Sequence, residues 1–305
     1  MSHLTLPSAA APLLESFSAA FSKPTFSRFL VMLVGAVLAL GRRTVTNIVW
    51  TVRGVAEGDV SSYHRVLSRA KWSLWPLAKI VAARVIALLP KDEPVGVAGD
   101  DTPQQRKGKK VYGKARHRDP IRSTHSHTVW LFGHKWVVLS ILVKLPCCSR
   151  YWALPVLVAL YRDKETNKAE GRRHKTPTDL MRQMLAVLMH WFPQRKFVFC
   201  GDGGFASHEL ARFCHRHRKH ITLVSRFHAK ANLYEAAPPR KTKQKGRPRV
   251  KGKKLPTPQE AVATGTIRRL LWSSLFLKTP SVERAWKNLP AQLPDAVFDR
   301  LCYVA

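Results

Sequence analysis

Acidic residues are scarce: 19 Asp and Glu stand against 52 Lys and Arg in 305 residues, a formal net charge of +33. A chain so unbalanced repels itself, and its natural partner is a polyanion, nucleic acid before an anionic membrane surface. Cysteines are few: Cys147, Cys148, Cys200, Cys214 and Cys302 make an odd set with no C-x-x-C spacing. That argues against a disulfide framework or a zinc site and, by default, for a cytoplasmic location. The longest apolar run, Phe29–Leu40, has twelve residues, short of the roughly 18–20 that span a bilayer. It also follows a polar start, unlike a secretory signal, so no membrane partner is expected. No G-x-x-x-x-G-K-[ST] loop occurs, which excludes that mode of nucleotide binding. Wholesale disorder is excluded too, because 45% of the residues are hydrophobic and can build a core.

Composition divides the chain into four parts. Residues 1–93 read as a helical domain, only mildly basic, and a candidate for DNA-end recognition. Leu74, Leu77, Val81, Val85 and Leu88 fall on one helical face, and Asp59, Ser61 and Ser62 offer caps to a helix over 63–72. Residues 94–228 read as mixed α/β. PVGVAG (94–99) is a buried-strand pattern ending at Asp100-Asp101-Thr102. Thr128–Phe132, a Gly133-His134 turn and Lys135–Leu145 read as a two-stranded hairpin. Thr176, Pro177 and Asp179 then open a long helix, with Leu180, Met184, Val187, Leu188 and Trp191 at helical spacing. Lys196–Cys200 is a further strand, ending at Gly201-Asp202-Gly203-Gly204, followed by a helix from Ser207 and a strand over Ile221–Ser225. Residues 229–263 form a basic insertion or arm, with nine basic residues and no acid between Arg240 and Lys254. Residues 264–305 show no clear period.

Where acids are rare, their positions inform. Asp100 or Asp101 ends one strand and Asp202 another. Strand ends that lie side by side bring their side chains together, and Mg²⁺ prefers one or two carboxylates plus substrate phosphates. Singly each Asp reads as a turn or cap residue; jointly, in a basic protein, they read as a metal pair able to serve phosphodiester chemistry.

GDDTPQQRKGKKVYG, the strand pair after it, and FCGDGGFAS about a hundred residues later resemble the DDE transposases of bacterial insertion sequences, over roughly residues 40–260. The resemblance implies an RNase H-like catalytic domain after a helical N-terminal domain, three acids holding two Mg²⁺ (Mn²⁺ as a substitute), and a homodimer acting on double-stranded DNA, the transposon ends and the target, in the bacterial nucleoid. Asp202 then matches the second acid. The first is Asp100 or Asp101, with Asp100 favoured because it directly follows the PVGVAG strand; Asp100 and Asp202 are the expected metal ligands. The family's third acid, a Glu in a Y-x₂-R-x₃-E-x₆-K setting, has no match. Glu235 directly follows a Tyr, Glu260 lacks Tyr and Arg at the required offsets, and Glu283 precedes its Arg. The expectation is a chain cut short or frameshifted within the insertion, with an incomplete C-terminal part and no useful DNA cutting on its own. The rival reading is a non-catalytic DNA-binding relic of a transposase; a basic RNA-associated protein leaves the two Asp motifs unexplained.

Two basic clusters are expected to touch DNA. Arg106, Lys107, Lys109 and Lys110, with Lys114, Arg116 and Arg118, follow the first Asp motif and suit backbone phosphates. Lys245, Arg247, Arg249 and Lys251 form the second. KGRPR resembles the core of a minor-groove A·T reader, although a phosphate-gripping arm is preferred. His117, His125, His127 and His134 fit no ligand spacing and read as surface or phosphate-contacting residues. Gly201, Gly203 and Gly204 are expected to permit a tight turn after the strand.

Overall fold

Apolar residues recurring every three to four positions give the first ninety residues a run of short helices. The computed structural model describes residues 7–119, 121–226, 230–235, 237–239, 246–263 and 302–304, and the chain divides into Met1–Leu88 and Leu89–Ala305. The first unit holds α1 (Ala11–Glu15), a 3₁₀ turn (Ser16–Ala20), α2 (Lys23–Leu38), α3 (Val45–Thr51), α4 (Val60–Ser68) and α5 (Leu74–Ala87). Thr44, Asp59 and Ser73 cap the last three, each accepting a backbone N–H from the first turn. Val31, Met32, Ile48, Val49, Val52, Tyr63 and Val66 form the core. Gly35 lets α2 approach α3 closely, for a Cβ there would lie 2.6 Å from the Ile48 carbonyl oxygen. The buried side of α5 differs from the expected one. Ala82, Val85 and Ile86 are buried, while Leu74 and Leu88 are exposed at the two ends of the stripe. No helix among the described residues is long and apolar enough to cross a membrane.

The second unit is built on a mixed sheet. Its strands are β1 (Val95–Gln105), β2 (Ala115–Arg118), β3 (Trp130–Lys144), β4 (Tyr151–Tyr161), β5 (Phe197–Gly201), β6 (Ile221–Arg226) and β7 (Cys302–Val304), with helices α6 (Lys164–Ala169), α7 (Pro177–Trp191), α8 (His208–Arg216) and α9 (Pro258–Ala263). The order across the sheet is β2-β3-β1-β5-β6-β7, with β4 also pairing to β3. Thus β4, β3 and β1 form an antiparallel meander, and β5 and β6 add in parallel beside β1. This is the RNase H-like mixed sheet that the sequence points to. Thr176 and Asp179 close a capping box at the start of α7. Met181, Met184, Leu185 and Leu188 of α7 are buried on one sheet face with Val97, Val137, Leu139, Ile141 and Phe199, whereas Leu180, Val187 and Trp191 of the expected stripe are only partly buried.

The expected hairpin at Gly133-His134 is absent: β3 runs unbroken through both residues. Gly133 is there for a different reason. A Cβ at this position would lie 1.9 Å from the Gln104 carbonyl oxygen of β1, so the two backbones meet where only hydrogen fits. The true turn lies between β3 and β4, and β4 escapes a sequence reading because Pro155 sits inside it. Pro155 opposes Ser140 where the β3–β4 register shifts, on an edge strand, which is where a sheet tolerates proline. Gly133→Ala is expected to lower stability by about 1–3 kcal/mol, read as a fall in the thermal unfolding midpoint by circular dichroism. A midpoint unchanged within about 1 °C would contradict the close approach.

The basic insertion is more than a solvated arm. Tyr234 bridges Lys254, and the backbones of Leu233 and Glu235 bond those of Leu255, Lys253 and Gly252, so its two ends are tied by a short antiparallel ladder. Arg240 and Lys245 lie outside the described residues, as does the segment 264–301 with Trp272, Glu283 and Trp286.

Candidate functional site

Where β1 and β5 run in parallel, Val97 pairs with Phe199, Ala98 with Cys200 and Gly99 with Gly201. Each strand then delivers an aspartate at the next position, Asp100 and Asp202. Neighbouring strands lie about 4.8 Å apart and side chains alternate between faces, so equivalent positions share a face. Asp202 keeps an extended backbone (φ −70°, ψ −176°), which carries the alternation past the end of β5. Gly96, Ala98 and Asp100 therefore share one face with Val198, Cys200 and Asp202. Val97, Gly99 and Asp101 share the other, against α7. The glycines report this directly: a Cβ on Gly96 would touch Leu142, whereas one on Gly99 would collide with Met181 and Phe199.

Asp100 and Asp101 thus part company. Asp101 lies on the α7 face and pairs with Lys135 at 2.9 Å. Asp100 is exposed; among the described residues its carboxylate accepts only the neighbouring Asp101 N–H, at 2.7 Å. The sequence placed Asp100 at a strand end, but β1 continues to Gln105. What ends at Gly99 is the parallel pairing with β5, and Asp100 flanks that boundary. Pro103 is tolerated further along because β1 has no β5 partner there.

Asp202 is held from three sides. Its carboxylate accepts the Gly204 N–H at 3.0 Å, its carbonyl accepts the Ser225 hydroxyl at 3.0 Å, and the same carbonyl accepts the Phe205 N–H at 3.1 Å. Ser225 is buried on β6, and sequence reasoning missed it; the only signal was a polar residue closing an apolar strand. The expected role of the glycines is corrected in part. Gly203 and Gly204 do not take up positive φ, and nothing lies within 4 Å of a Cβ at Gly203. Gly201 is the constrained one, for a Cβ there would lie 2.9 Å from Phe205. Phe205 in turn packs edge-on against Phe199 and anchors the turn.

Asp100 and Asp202 present two exposed carboxylates on one face, neither ion-paired to a cation among the described residues, and carboxylate oxygens are the donors that a hard divalent cation takes. Among the described residues no group of three or more His, Cys, Asp and Glu is arranged to hold a metal. Glu260 engages the Thr257 N–H at 2.8 Å as a helix cap, which holds its carboxyl below the usual range.

Arg106, Lys107, Lys109 and Lys110 are exposed in the loop after β1. Arg106 stands six positions beyond Asp100, roughly 20 Å along an extended chain, so these cations would meet DNA well away from the carboxylates. The loop folds back: the Tyr112 carbonyl lies 2.9 Å from His134 Nε2, and a Cβ on Gly113 would touch Leu160. Arg247, Arg249 and Lys251 are exposed, and Lys251 Nζ sits 4.6 Å from the Tyr234 ring centroid. Of the histidines, His125 and His127 are exposed, but His117 is only 6% exposed on β2. Burial, with Lys135 nearby, pushes its pKa below the usual histidine range; it is a packed residue rather than a phosphate contact.

A family described as DDE superfamily endonuclease matches residues 16–276. Among solved structures the chain is similar to the piggyBac transposase synaptic complex with hairpin DNA, at 11% identity and a TM-score of 0.32, over 69% of this chain and 43% of that one. No curated protein matches it.

Proposed function

Because the chain belongs to the DDE superfamily endonucleases, we propose that it is a transposase-type DNA-processing protein, gripping duplex DNA with its basic surface and holding Mg²⁺ or Mn²⁺ between Asp100 and Asp202. The observation that supports this reading most is the Gly99–Gly201 register, which brings the two aspartates to one face of adjacent strands. A bound ion there would supply Lewis-acid charge to phosphoryl oxygens. The chain's own residues do the positioning. Gly204, Ser225 and Phe205 fix Asp202, the β1–β3 ladder fixes Asp100, and the Lys135 ion pair keeps Asp101 off the site. Arg247, Arg249, Lys251 and the loop after β1 neutralise backbone phosphates at any sequence. By family resemblance the protein acts as a homodimer on the paired ends of a bacterial insertion sequence, in the cytoplasm beside the nucleoid, and the helical first unit contributes to end recognition.

Labelled duplex carrying the element's ends, incubated with Mg²⁺ or Mn²⁺, tests the proposal. Two carboxylates anchor one ion, and a two-ion clamp on attacking and leaving oxygens needs a further acid, so the expected result is tight binding with little end-specific nicking. Nicking that disappears in Asp202→Ala would show a third acid completing the site. Binding without any metal affinity would instead favour the non-catalytic relic. Failure to bind duplex, or nicking that survives both Asp100→Ala and Asp202→Ala, would overturn the proposal.

A further inference from the structure

Alternation along β3 carries the carboxylate face well beyond the carboxylates. Asp100 pairs with Val138 and Thr102 with Trp136; one, two and three steps further along β3 on that same face come His134, Phe132 and Trp130. Arg116 of β2 pairs with Phe132, and Arg118 with Trp130. At this end the face is wet: Trp130 is 46% and Phe132 55% exposed. The Arg116 guanidinium lies 4.1 Å from the Trp130 ring centroid, a cation–π stack that fixes both planes. Arg106 stands beside them, its N–H donating to the Phe132 carbonyl at 3.0 Å. Two open rings, a stacked planar cation and flanking positive charge on an edge ribbon are poor material for a core. They are the components of a stacking platform for bases, with cations for the strand that carries them.

We propose that Trp130, with Arg116 stacked on it, and Phe132 form a platform for an unpaired nucleobase of the DNA that the carboxylate pair engages. This rests on the DNA-processing reading above. Phe132 lies six positions from Val138, roughly 20 Å along β3, so the unpaired base sits about six nucleotides from the carboxylates at about 3.4 Å per step. A paired base offers no open face, so the platform favours gapped or frayed DNA over intact duplex.

The test uses the full chain and two DNAs, a 20-base-pair duplex and the same duplex with a three-nucleotide gap containing 2-aminopurine. Wild type is expected to bind the gapped DNA about 5- to 150-fold more tightly and to quench the 2-aminopurine. Trp130→Ala with Phe132→Ala should abolish both preference and quenching while duplex affinity stays within about twofold. Trp130→Tyr, which keeps a stacking ring, should retain them and guards against misfolding of the double variant. No preference in wild type, or a preference that survives the double variant, overturns the proposal while leaving duplex binding intact. Equal loss on both DNAs in a folded double variant also overturns it, since the rings would then serve general grip. If wild type binds neither DNA, the DNA-processing reading fails with it. Binding to phosphatidylserine vesicles that the same substitutions abolish, without any gap preference, would make the strip a membrane contact and overturn the proposal.

Discussion

Asp202→Asn is expected to weaken Mn²⁺ binding by at least about 10- to 100-fold, the range in which loss of mere supporting residues around a metal already falls. Asp100→Asn should do the same, because Mg²⁺-type sites depend on one or two carboxylates and lose most of their charge with either. Asp101→Asn is the discriminating variant. Its carboxylate lies on the opposite face against Lys135, so metal affinity should stay within about threefold, and loss of a half-exposed ion pair should cost under about 1 kcal/mol of stability. The free-Mn²⁺ signal in electron paramagnetic resonance measures all three without reference to catalysis. Fe²⁺ with ascorbate offers an independent reading, cutting the polypeptide beside residues 100 and 202 in wild type and Asp101→Asn but in neither Asp100→Asn nor Asp202→Asn. An Asp101→Asn loss as large as that of Asp100→Asn would move the site to the other face of β1 and contradict the register argument.

Replacing Arg247, Arg249 and Lys251 together by alanine should reduce the log–log salt slope of duplex binding by up to about 2.7, at roughly 0.9 per phosphate contact. The loss should be alike for all sequences. Substitution is a cleaner test than deleting Arg240–Lys254, because deletion also removes Gly252, Lys253 and Lys254, which bond Tyr234 and Glu235 across the base of the insertion. A loss confined to A·T tracts would make Arg247-Pro248-Arg249 a minor-groove reader instead. An unchanged slope would place the DNA elsewhere on the protein.

Much of the framework was legible in the sequence because the strongest signals were local. Thr176-Pro177-x-Asp179 writes a helix start in four residues, and the capping box is there. PVGVAG and FVFC read as buried strands because both faces of β1 and β5 need apolar or small residues. The partition of Asp100 from Asp101 was not legible, since it depends on the register between strands a hundred residues apart. Pro155 hid β4, because a proline in a strand is allowed only at a bulge or edge that the sequence does not announce. Gly133 misled for a related reason: a glycine next to His reads as a turn, whereas here it marks where two backbones touch. The Arg116–Trp130 stack was also invisible, for its partners come from different strands.

The Gly99–Gly201 pairing has a consequence for how the site comes into being. Val95 and Phe197, at the start of the parallel ladder, enclose about a hundred residues of chain, and closing so long a loop carries an entropic cost that a local hairpin avoids. The β3–β4 hairpin closes over a handful of residues and β1 joins it from nearby, whereas β5 must return from beyond α7. Topologies with such distant contacts assemble slowly, so the meander that carries Asp100 is expected to gain hydrogen-exchange protection during refolding before β5 does. On that expectation the carboxylate pair is completed only when the most distant strand docks.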